Sequence, residues 1–145
     1  MTLLGKIARR RPADLFLVAE AAVLLTFFRV SLALVPVRRI VSAITRGRTG
    51  EVKTEASASD IEAARRVQWA VSAVARHSVV EFVCFPQALA GYWMLRWSGV
   101  TSTIVYGVAK SVEGELEAHT WLVVGDAMVL GGDAAADFTP IERWS

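Results

Sequence analysis

Cys84-Phe85-Pro86-Gln87-Ala88-Leu89-Ala90 is the stretch on which the reading of this chain turns, because it reads as the first turn of a helix opening on the only cysteine present. A thiol at a helix N-terminus sits where the helix dipole favours the thiolate, the form that attacks carbonyls. Downstream, Glu117-Ala118-His119-Thr120-Trp121-Leu122-Val123-Val124 reads as a strand carrying one of two histidines, and an imidazole on a neighbouring strand is the natural base for such a thiol. The other histidine, His77, follows Arg76 and reads as a cap at a helix C-terminus. A single cysteine excludes a disulfide framework and any cysteine-rich metal site. No metal and no cofactor is expected.

Working outward, the helix from Cys84 closes at Ser98-Gly99, a C-cap signal. Three strands are expected after it: Thr101 to Val108, Leu116 to Val124, and Ala127 to Leu130, with Gly125-Asp126 as a tight hairpin turn. Before it, Ile61, Ala64, Val67, Val71 and Val74 recur at three- and four-residue steps and predict a helix from Ile61 to about Arg76, capped by Asp60 or Ser59. A short basic helix is expected from Val37 to about Thr45. Helices first and an antiparallel sheet last make the chain α+β. Three regions follow: a helical region over 1–48, an exposed connector over 49–59 with Ser57-Ala58-Ser59 at its end, and a core over 60–145, packed as one compact unit.

With 145 residues the chain suits one domain with a sizeable core. Its hydrophobic content of 54% and mean hydropathy of +0.42 are high for a soluble chain. Much of this comes from Leu15 to Val35, an almost continuous apolar run that Asp14 would cap and Pro36 would end. About thirteen Leu, Val and Phe residues favour insertion by about 6 kcal/mol, and the charges of Glu20 and Arg29 cancel that. The two charges project from opposite sides of a helix, so the run reads as a buried helix of a helical subdomain. A membrane-associated helix is the competing reading, and a partner-binding helix the third. Net charge is +2, but Lys6, Arg9, Arg10, Arg11, Arg38, Arg39, Arg46, Arg48 and Lys53 crowd the first third. A solvated basic surface accounts for this, and without an aromatic-interleaved basic groove no nucleic-acid partner is expected.

A Cys–His pair needs an acceptor that fixes the imidazole tautomer. Asp126 lies in the hairpin turn, about 20 Å along the strand from His119, and is out of reach. Folding the hairpin brings Asp133 within one position of His119, on the wrong face unless the turn takes three residues or Gly131-Gly132 forms a bulge that re-aims it. Asp133 is therefore the expected third member, with Asp137 in reserve. The Cys84 backbone N–H is the first oxyanion donor candidate; Gln87 and Trp121 are further contacts, Gln87 one turn along from Cys84 and Trp121 on the face of His119.

With those residues in place, the chain resembles the transglutaminase-like cysteine protease of lasso peptide biosynthesis, the B protein or leader peptidase. The resemblance is carried by Cys84-Phe85-Pro86-Gln87-Ala88-Leu89-Ala90, Gly99-Val100-Thr101-Ser102-Thr103, Ala118-His119-Thr120-Trp121-Leu122 and Val129-Leu130-Gly131-Gly132-Asp133. Phe138-Thr139-Pro140 fits the family's ending, and the N-terminal apolar helix and Val37-Arg38-Arg39 are similar too. This implies a transglutaminase/papain-like core, with the Cys84 helix packed on the small sheet and a Cys84–His119–Asp133 triad. The activity implied is hydrolysis of a ribosomally made precursor between leader and core, in the cytoplasm. The implied partners are the lasso precursor peptide, a separate leader-recognition protein of winged-helix type, and a cyclase similar to asparagine synthetase that closes the macrolactam. A transglutaminase-type acyl transferase and a non-catalytic peptide-binding scaffold are the alternatives.

Overall fold

A computed structural model describes residues 11–45, 55–78 and 83–145. Residues 49–54 of the connector expected over 49–59, and the cations Lys6, Arg9, Arg10, Arg46, Arg48 and Lys53, lie outside the described residues; Ala58 and Ser59 at its end are already helical. Helix α1 (Pro12–Leu34) starts before the expected Leu15, because Pro12 at its first position needs no N–H partner. Asp14 does not cap it. Arg11 holds the cap position without a side-chain bond, and Asp14 lies in the first turn, 3.4 Å from the Arg66 guanidinium. Helix α2 (Val37–Thr45) follows Pro36 as expected.

Helix α3 (Ala58–His77) is capped by Ser57, not by Asp60 or Ser59. The Ser57 hydroxyl accepts from the Asp60 N–H at 3.2 Å, and the Asp60 carboxylate accepts from the Ser57 N–H at 3.0 Å. That reciprocal pair satisfies two donors the helix would otherwise leave open, so the helix starts earlier than its apolar periodicity does. Helix α4 (Cys84–Trp97) begins on the cysteine and ends at Ser98, with Gly99 at φ +76°.

Among the described residues the sheet has four strands, not three. β1 (Thr103–Lys110), β2 (Leu116–Val124), β3 (Ala127–Leu130) and β4 (Thr139–Trp144) lie in the order β3-β2-β1-β4, with every neighbouring pair antiparallel. A single turn of helix, α5 (Gly132–Ala135), connects β3 towards β4. β4 is easily missed because Pro140 and two charges interrupt it, which suits an edge strand with a bulge.

One sheet face, bearing Ile104, Leu122 and Leu130, packs against α4, and α1 and α3 complete this core with Leu25, Phe28, Val67 and Val71. Each such side chain removed from water contributes about 1.5–3 kcal/mol. Gly91 lets α4 come close: a Cβ there would fall 2.6 Å from Leu130 Cδ1 and 2.8 Å from Leu122 Cδ2. The opposite face carries a smaller cluster of Val105, Trp121 and Ala135, flanked by Val123 and Phe138.

Candidate active site

Cys84 is a free thiol, partly exposed, at the first position of α4. Val83 holds the cap position in an extended conformation and offers no side-chain bond. The first N–H groups of a helix have no intrahelical acceptor, and Pro86 has no N–H at all. The Cys84 and Phe85 amides are therefore the donors this end presents beside the thiol. Phe85 ties the helix start to the sheet, its ring 6.1 Å from that of Tyr106 and 6.4 Å from that of Trp144.

His119 lies near the middle of β2, half-buried, with Gly107 as its partner on β1. Its Nε2 is 2.7 Å from the Gly131 carbonyl oxygen. A carbonyl only accepts, so Nε2 carries the proton and donates it, which leaves the Nδ1 lone pair free to take a proton from a nucleophile. The ring lies 6.0 Å from Trp121, nearly parallel to it, and 5.2 Å from Phe138. Trp121 in turn covers Gly107, where a Cβ would fall 2.7 Å from its Cη2. Trp121 is thus on the face of His119, as expected.

The two elements meet, but the two side chains do not. Phe85 touches Tyr106, and Tyr106 precedes the strand partner of His119. Side chains alternate along a strand, so Ala118, Thr120 and Leu122 face α4, and His119 and Trp121 face the other side. Cys84 is on the same helix stripe as Ala88 and Gly91, and Gly91 rests on Leu122. The thiol thus approaches the sheet from the face opposite the imidazole, and no hydrogen bond joins them.

Asp133 is exposed in the single turn of α5 and makes no hydrogen bond to His119, whose acceptor is the Gly131 carbonyl. A bulge does form in this hairpin, between Leu122↔Leu130 and Val123↔Met128, two residues before the glycine pair. Asp137 is exposed and lines a separate surface hollow with Glu113, Glu115 and Glu117. Asp126 is in the β2–β3 turn. Gln87 is half-buried and engaged in an interaction of its own. His77 ends α3, as expected. Among the described residues no three His, Cys, Asp or Glu side chains gather as a metal site. Reading side chains alone passed over the Gly131 carbonyl; the glycine pair was its only signal.

A one-cysteine chain with a helix-start thiol and a strand imidazole held by a backbone acceptor narrows the families it can join. The family model for the transglutaminase-like superfamily matches residues 22–143. The chain belongs to that superfamily. Cysteine proteases and acyltransferases both occur among transglutaminase-like proteins, which are typically cysteine-based enzymes. The match runs from within α1 to within β4. No curated protein and no solved structure matches the chain.

Proposed function

We propose that this transglutaminase-like chain is a cysteine peptidase that removes the leader from a lasso peptide precursor. The observation that carries the reading is the His119 Nε2–H bond to the Gly131 carbonyl, which leaves Nδ1 as the base. In the reaction His119 Nδ1 takes the Cys84 proton, and the thiolate attacks the scissile carbonyl. The oxyanion that forms faces the free amides at the start of α4. The imidazolium then protonates the leaving amine, and water releases the acyl group from sulfur. Asp133 is the candidate for steadying the imidazolium from the α5 turn. The freed amine is what a separate cyclase joins to an acidic side chain, and a winged-helix leader-recognition protein is the proposed partner. The work is placed in the cytoplasm.

Contact between Cys84 and His119 requires the start of α4 or the Ala118–Thr120 segment to move. Their placement on opposite sheet faces is the observation that favours a second reading, a non-catalytic peptide-binding scaffold. Incubation with precursor peptide and recognition protein, read by mass, separates them. Release of the leader at one bond, lost in Cys84→Ala and His119→Ala, supports the peptidase. Peptide binding with intact precursor, and a thiol unreactive to iodoacetamide, supports the scaffold. A mass gain on adding a free amine means acyl transfer.

A further inference from the structure

Helix α1 is apolar on two faces, and the fold uses only one. Ala21, Leu25 and Phe28 are fully packed into the core. On the other side Leu34 is 78% exposed, Phe16 71%, Val23 68%, Phe27 59% and Val30 53%. At 3.6 residues per turn these five, with Leu15 and Ala19, fall in one arc of about 120° running the length of the helix. Glu20 and Arg29 stand just outside the two edges of this arc, Glu20 about 20° beyond Phe27 and Arg29 about 40° beyond Leu15, so neither charge falls within it.

The surroundings of this arc specify what covers it. Val23, Phe27 and Val35 open onto a hollow of about 590 Å³ shared with Arg39 of α2 and with Trp93 and Trp97 of α4. Trp97 is 67% exposed. Arg11 stands exposed at one end of the helix, and Arg38 and Arg39 at the other. Apolar stripe, exposed tryptophan and flanking arginines together are the chemistry of a surface that lies on anionic lipid. A second copy laid on the same face, parallel or antiparallel, would bring these cationic ends against one another.

We propose that the outer face of α1, with Trp97 and the Arg38–Arg39 rim, rests on an anionic bilayer in the plane of the interface. The helix is long and apolar enough to cross a membrane. Crossing would pull Ala21, Leu25 and Phe28 out of the core, whereas lying in the interface uses only the side chains the fold leaves outside. The proposal is independent of the peptidase reading, since it uses neither Cys84 nor His119.

The test is flotation of the whole chain with vesicles of phosphatidylglycerol and phosphatidylcholine, and of phosphatidylcholine alone. Binding is expected to the anionic vesicles, weakening with salt and released by alkaline carbonate. The triple variant Val23→Ser, Phe27→Ser, Leu34→Ser should bind at least about tenfold more weakly. In the wild type, brominated phosphatidylglycerol should quench tryptophan emission, with part of that quenching lost in Trp97→Phe. Absence of binding, equal binding to neutral vesicles, or retention after carbonate each overturns the proposal. So does a lipid-free dimer that the triple variant dissociates, which would give the face to a second copy.

Discussion

His119 and Gly131 are joined by a 2.7 Å hydrogen bond from imidazole Nε2 to a backbone carbonyl, placed where β3 leaves the sheet. Backbone, not a side chain, sets the tautomer of the one histidine on the sheet. Gly131 can do this because it has φ +72°, and a Cβ there would fall 2.7 Å from the Thr120 carbonyl and 3.2 Å from His119 Nε2. Nitrogen NMR of the neutral ring should show the proton on Nε2. Gly131→Ala should cost about 2 kcal/mol, from the left-handed conformation and the crowded carbonyl, and should disturb that tautomer. A ring protonated at Nδ1 in the wild type would remove the base from the proposed reaction.

If the Gly131 carbonyl is a sufficient orienter, Asp133→Asn should leave the cleavage rate within about tenfold of wild type, because the hydrogen bond of His119 goes elsewhere. Losses beyond about a hundredfold are expected for Cys84→Ala and His119→Ala. An Asp133→Asn loss as large as theirs would mean that the carboxylate swings onto the imidazolium in the reacting state.

Thr120 is buried on the face of β2 that meets α4, and its hydroxyl finds no hydrogen-bond partner among the described residues. An unmet buried hydroxyl costs about 1–3 kcal/mol, and valine keeps its shape without it. Thr120→Val should therefore raise stability by about 1 kcal/mol in urea unfolding, and a loss instead would show that the hydroxyl is engaged.

Burial holds the Glu20 carboxyl above the ordinary glutamate value. The sign follows from linkage: a raised acid binds its proton more readily folded than unfolded, so acid favours the fold. That contribution is complete below the unfolded value and is lost as pH rises through the folded one. Glu20→Gln should melt higher than wild type at neutral pH, with the gap closing on acidification. A constant gap across pH would assign the effect to helix propensity instead.

How much of this was legible from residues alone depends on where the information sits. The Cys84–Trp97 helix, the β2 strand and the Gly125-Asp126 turn were readable because glycine, proline and alternation are local signals. The start of α3 was misplaced because its cap, Ser57, lies outside the apolar period and works through a reciprocal bond with Asp60. β4 was missed because its pairing with β1 is tertiary: Pro140 and Glu142 suit an edge, and nothing local announces one. The acceptor of His119 escaped because a search among aspartates cannot find a carbonyl. The face on which His119 projects follows from a register shared by three strands, which no single segment carries.

Trp144 closes on Phe85 and Tyr106 from the far edge of the sheet. During synthesis the thiol helix leaves the ribosome well before that tryptophan does, and a contact between segments so far apart in sequence forms late. The ordering of events is thus written into the topology. A nascent chain carries its thiol early, and Trp144 closes on the helix start only once β4 has paired.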